Sequence, residues 1–129
     1  MAHVVTRVPL TEKEGEAIVW CLGQIANYPN REAQSETDPL FVLFSEGFER
    51  SEIMQTANAM FEIAYGDWLS DPLTPLQKAI LRVCIENTTW VCEYHLTLPH
   101  LLPQALPTLR SLAVKLEAFG IEVNFIPAD

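Results

Sequence analysis

The densest group of side chains able to do chemistry is Cys92-Glu93-Tyr94-His95, followed by His100. At a spacing of three, Cys92 and His95 can share one helical face, and His100 can fold back toward them. A structural zinc needs four ligands, normally as two closely spaced pairs, and only one such pair is present. The sequence therefore assigns these residues to a helix end, where the dipole favours His95. A nucleophilic cysteine needs its thiol pKa lowered by a helix N-terminus or a nearby cation, and neither Cys84 nor Cys92 stands at a predicted helix start. Glu62, Asp67, Glu86 and Glu93 are carboxylates of the kind used in acid–base catalysis, but that role is defined by a separation in space that the sequence does not supply. The five glycines are spread singly, and the phosphate-cradling glycine motifs and the G-x-S-x-G nucleophile turn are absent. Asn87-Thr88-Thr89 matches a glycosylation acceptor, but inside a predicted helix it is discounted. The expectation is a chain with no catalytic residues, metal or cofactor.

Charge is the stronger lead. The 129 residues carry a net charge of -9. A general binder of nucleic-acid backbones needs clustered Lys and Arg, so that class is excluded. At 49% hydrophobic and 19% charged, the chain is not a disordered acidic tail either. The acids are unevenly spread. Residues 1–31 balance Glu12, Glu14 and Glu16 against Arg7, Lys13 and Arg31. Residues 32–71 hold nine acids against Arg50 alone. One reading is a solvated face that keeps the protein soluble. The other is a contact surface for a basic partner, such as a nucleic-acid-binding protein whose basic groove this chain would fill as a charge mimic. The candidate contact residues are Glu32, Glu36, Asp38, Glu46, Glu49 and Glu52. Trp20, Trp68 and Trp90 fall on or beside apolar stripes and read as core. An aromatic base-stacking platform would need interleaved positive charge, which is lacking.

These side chains must be placed by secondary structure. Residues 3–8 alternate and are rich in β-branched types, giving a short strand that Pro9 stops. Thr11-Glu12-Lys13-Glu14 is a capping box opening a helix that ends near Asn27, ahead of Pro29. Residues 29–39 have no hydrophobic period and read as an exposed loop. Asp38-Pro39 is a cap and first-turn pair for a short helix through Ser45, although Leu40–Phe44 would also suit a buried strand. Ile53, Ala57, Met60, Phe61, Ala64 and Tyr65 mark a helix over about 48–68, with Gly66 as a place where it would fray or end, followed by a turn at 70–73. Thr74-Pro75-Leu76-Gln77 is a second capping box, opening a helix to about Tyr94. The first half of that helix is apolar on most sides, as befits a central helix or one at a subunit interface. A last helix begins between Pro103 and Pro107 and ends at Gly120, and residues 121–125 alternate as a terminal strand.

The expected architecture is a single domain over 1–129, mainly α with four or five helices and short N- and C-terminal strands. The alternative is α+β, if residues 40–44 form a strand. The two terminal strands would pair with each other or across a dimer. Three cysteines with no secretory signal pattern argue against a disulfide framework and for buried thiols. No apolar run is long enough to span a bilayer, so a cytoplasmic location is expected. The first functional expectation is a non-enzymatic acidic interaction protein, forming a homodimer and inhibiting a basic, nucleic-acid-binding partner. The second is a small-molecule-binding protein or small enzyme with a pocket between helices, with Trp90, Cys92, Glu93 and His95 near its mouth.

Overall fold

The computed structural model describes residues 6–26, 32–33, 38–86 and 102–123, and structural statements below concern these. They form a helical domain with one small antiparallel sheet. In chain order the elements are β1 (Arg7–Pro9), α1 (Glu12–Ala26), α2 (Pro39–Ser45), α3 (Arg50–Tyr65), β2 (Trp68–Ser70), α4 (Pro75–Glu86) and α5 (Leu102–Glu117).

The helix starts follow the local chemistry of the sequence. The Thr11 N–H donates to Glu14 Oε1 at 2.8 Å, and the Glu14 N–H donates to Thr11 Oγ1 at 3.2 Å. The same reciprocal pair joins Thr74 and Gln77 at the start of α4, at 2.8 and 3.1 Å. Each box satisfies two backbone N–H donors that the helix start would otherwise leave without acceptors. Asp38 caps α2 by accepting from the Leu40 N–H at 3.0 Å, with Pro39 in the first turn, so residues 40–44 are helical rather than extended. Two helices end in the same hydrogen-bond pattern. After α2, Phe48 N–H reaches Leu43 O and Gly47 N–H reaches Phe44 O. After α5, Ile121 N–H reaches Leu116 O and Gly120 N–H reaches Glu117 O. This pattern requires a left-handed residue, supplied by Gly47 (φ 94°) and Gly120 (φ 75°).

Four expectations are corrected. The helix expected over 48–68 ends at Tyr65, with the Gly66 N–H closing on Ile63 O. Residues 68–70 become β2 because they pair with β1 in the register Arg7–Ser70, Val8–Leu69 and Pro9–Trp68, which buries Leu69 completely. Two bonds extend the pairing, Asp71 N–H to Thr6 O and Leu10 N–H to Asp67 O. The N-terminal strand thus pairs with an internal segment and runs through Pro9, a position tolerated in a two-stranded sheet with open edges. The C-terminal strand is not seen at 121–123, because the end of α5 folds Ile121 back and takes its N–H. Residues 3–5 and 124–125 of the two expected strands lie outside the described residues. The last helix starts at Leu102, ahead of Pro103, and carries Pro107 within it.

The core sits where α1, α3, α4 and α5 meet. Ile18, Leu22 and Ile25 of α1, Ile53 and Met60 of α3, and Leu112 and Leu116 of α5 are almost fully buried. Burying each such side chain contributes roughly 1.5–3 kcal/mol. On α4, Leu76, Ala79, Ile80, Leu81, Val83 and Ile85 are all buried, and the helix packs against α1, α2, α3 and α5. These six side chains are therefore covered within one chain. The most extensive helix pair is α1 with α3. They lie close at Gly15, where a Cβ would lie 2.4 Å from the Ala64 carbonyl oxygen.

Candidate interaction surface

The six acids singled out in the sequence meet different fates. Asp38 is fully buried and its carboxylate caps α2, so it is withdrawn from any contact face. Glu46 follows α2 and is exposed, but both its oxygens accept from the Arg82 guanidinium of α4. Arg82 also reaches Glu86 Oε2 at 3.3 Å, and burial, which alone would lower its pKa, is outweighed by these two carboxylates, which raise it. Glu49 and Glu52 are exposed at the start of α3. Glu49 occupies the N-cap position without a side-chain capping bond, and both charges suit the positive end of the helix dipole. Close by, Arg50 stacks over the Phe44 ring at 5.2 Å. Glu32 is exposed, and Glu36 lies outside the described residues. The structure thus keeps Glu49 and Glu52 together and offsets Glu46.

The chemistry-bearing cluster that opened the sequence reading, Cys92, Glu93, His95 and His100, lies outside the described residues, as does Trp90. Among the described residues no group of three or more His, Cys, Asp or Glu could hold a metal ion. Cys21 is buried and free.

Two features were not visible in the sequence. The first is a buried carboxylate. Glu14 is 1% exposed, and besides the Thr11 N–H it accepts from Ser111 Oγ at 3.1 Å and from Lys115 Nζ at 2.6 Å. Lys115 also donates to the Pro9 carbonyl at 2.8 Å, so the node ties β1, α1 and α5 together. Burial pushes the Glu14 carboxyl up, but the Lys115, Thr11 and Ser111 hydrogen bonds outweigh it and hold the pKa below its ordinary value. A carboxylate held in its charged form is a poor proton acceptor, so this Ser–Glu–Lys group reads as a structural clamp rather than a catalytic one.

The second feature is a half-open cleft of about 660 Å³ between α1 and the C-terminal end of α3. Leu10, Gly15, Val19 and Ala64 contribute its apolar lining, while Glu12, Glu16, Tyr65 and Asp67 contribute polar groups. Glu12, Glu16 and Asp67 are exposed, and among the described residues none of them makes an ion pair. Tyr65 is 74% exposed, the most exposed large hydrophobic side chain described. Beside it on β2, Trp68 is 46% exposed rather than in the core, with the Arg7 guanidinium 4.3 Å from its ring centre. Glu12 and Glu16 belong to a segment whose charge balances along the chain. Only folding puts them beside Asp67, so counting charge by segment missed them.

No family model, curated protein or solved structure matches this chain. Among the described residues, no helix is long and apolar enough to cross a membrane.

Proposed function

We propose that this chain is a non-enzymatic interaction protein whose acidic surface docks on a basic protein partner, of the type whose basic surface otherwise holds nucleic acid. The observation that carries this reading is the set of exposed acids Glu49, Glu52, Glu62 and Asp67, all on or beside α3 and none in an ion pair among the described residues. Such a surface steers a basic partner at long range, and its pull weakens as salt rises. The decisive experiment is affinity capture from the native host at low and high salt, followed by binding of the recovered partner to the Glu49→Lys/Glu52→Lys variant. A salt-sensitive basic partner that the variant no longer binds supports the reading. No salt-sensitive partner, or unchanged binding by the variant, overturns it.

The reading needs no second copy of the chain. The homodimer expectation rested on the high apolar content, the apolar circumference of the helix opening at Pro75, the localised acidic region and the lack of a catalytic signature. Light scattering separates a 14.5 kDa monomer from a dimer of twice that mass. The alternative of a small-molecule site between helices has the α1–α3 cleft in its favour, and thermal-shift measurements with small cationic and apolar compounds test it.

A further inference from the structure

The α1–α3 cleft combines features that an acidic face alone does not. Its lining is partly apolar, with Leu10, Val19 and Ala64 around Gly15, where α1 lies close to the Ala64 carbonyl of α3. Its polar groups are of one sign: Glu12, Glu16 and Asp67, with no Lys or Arg among the lining residues. It also includes the C-terminal end of α3, where carbonyl dipoles concentrate partial negative charge and where the last turn has no basic residue to offset it. An anionic ligand would be repelled by all of these groups, and a neutral apolar one would leave three carboxylates facing it. The complementary group is a cation with a flat apolar face.

Tyr65 narrows the choice further. Its ring is largely exposed at the cleft, stacked at 6.5 Å on Phe61, and so presents a held aromatic surface. Guanidinium groups stack on such rings and donate to carboxylates in a planar fork, whereas an ammonium is a compact, strongly hydrated point charge. The chain already uses this pairing next door, where Arg7 lies over Trp68. We propose that the cleft receives an arginine side chain from the basic partner, stacked on Tyr65 and held by the carboxylates of Glu12, Glu16 and Asp67. This rests on the interaction reading above, and names the place where the partner's charge would be recognised.

The test uses the purified full chain and a dye-labelled peptide with three arginines in a Gly/Ser background, read by fluorescence anisotropy at low salt. Lysine and glutamate peptides of the same length serve as comparators. The variants are Glu16→Gln/Asp67→Asn and Tyr65→Ala at the cleft, and Glu49→Gln/Glu52→Gln at the start of α3, each checked for folding by circular dichroism. All five positions are exposed. The expected result is binding of the arginine peptide that is weakened about tenfold by the double neutralisation and about fivefold by Tyr65→Ala, in line with a charge-assisted contact and a cation–π contact. The Glu49→Gln/Glu52→Gln variant, which removes steering charge and no contact in the cleft, should weaken it by less than either cleft variant does. Equal affinity for the lysine peptide overturns the stacking assignment. Binding lost only in Glu49→Gln/Glu52→Gln overturns the cleft and leaves the acidic-face reading standing. Absence of binding, or binding indifferent to every variant, overturns the cleft assignment, and the capture experiment above then decides the acidic-face reading by itself.

Discussion

Glu14 and Lys115 form the most buried ion pair among the described residues, with Nζ to Oε1 at 2.6 Å across 101 positions of chain. Their environments are unequal. The Glu14 side chain is 1% exposed, while that of Lys115 is 23% exposed. The same carboxylate closes the capping box of α1, so one side chain both starts a helix and fixes where α5 lies against it. The Lys115 bond to the Pro9 carbonyl brings β1 into the arrangement.

The inequality sets the order of two substitutions. Lys115→Met removes the cation and leaves a buried carboxylate facing only neutral donors. Glu14→Gln leaves a lysine that still reaches solvent and the Pro9 carbonyl. Breaking a buried pair by removing one partner costs up to about 3–5 kcal/mol, and the partial exposure of Lys115 lowers that figure. Lys115→Met should destabilise by about 2 kcal/mol and Glu14→Gln by about 1 kcal/mol. Urea unfolding of the two variants gives the order, and a larger loss for Glu14→Gln would contradict it.

The pair also sets a pH dependence. The hydrogen bonds from Lys115, Thr11 and Ser111 overcome burial and depress the folded pKa of Glu14 below its ordinary 4.5. A carboxyl with a depressed folded pKa contributes stability that is fully present above the unfolded value and is lost as pH falls through the folded one. Wild type should therefore lose stability relative to Glu14→Gln as pH falls below 4.5. Urea midpoints measured from about pH 6 to about pH 3 check this. A constant gap between the two proteins would show that Glu14 does not carry the effect.

The legible parts of this fold were those whose cause is local. The capping boxes at Thr11 and Thr74, the Asp38-Pro39 helix start and the left-handed stop at Gly120 are each written within a few residues, and each is present. The boundary after Tyr65 was legible only as an alternative, in Gly66, and the strand beyond it was not, because Trp68 continues the helical spacing of Phe61, Ala64 and Tyr65 while Trp68-Leu69 also alternates as a strand. Pairing with β1, some sixty positions earlier, decided it. The candidate site shows the same division. Glu49 and Glu52 could be read as exposed acids from their neighbours. That Asp38 would be buried, that Glu46 would meet Arg82, and that Glu12 and Glu16 would join Asp67 all depend on contacts between distant segments.

Gly15 offers a test of the α1–α3 contact. Replacing glycine by alanine inside a helix ordinarily stabilises it by about 1 kcal/mol. Here the new methyl would meet a backbone carbonyl at 2.4 Å, and backbone cannot yield as a side chain can. Forcing the helices apart costs about 1–3 kcal/mol, as overpacking does elsewhere. Gly15→Ala should therefore be net destabilising and lower the thermal midpoint. A raised midpoint would mean that α1 and α3 separate at little cost, and that the cleft beside them has no fixed lining.

Arg82 links stability to the proposed docking surface. Its guanidinium holds Glu46 after α2 and Glu86 on its own helix, with side-chain exposures of 24%, 37% and 8%. Arg82→Met keeps the apolar stem and deletes the charge. After allowance for solvent screening at Glu46, the loss should be about 1 kcal/mol and should shrink as salt rises. The effect on binding should have the opposite sign. Without Arg82, the Glu46 carboxylate adds its charge to Glu49 and Glu52, so a basic partner should bind about two- to threefold more tightly at low salt. Glu46→Gln in the wild-type background should have the reverse effect and weaken binding by a similar factor, because it leaves the Arg82 charge less compensated beside Glu49 and Glu52. A less stable protein that binds its partner more tightly is not an outcome that loss of structure produces, so the paired measurement separates an electrostatic docking face from a face that serves only solubility.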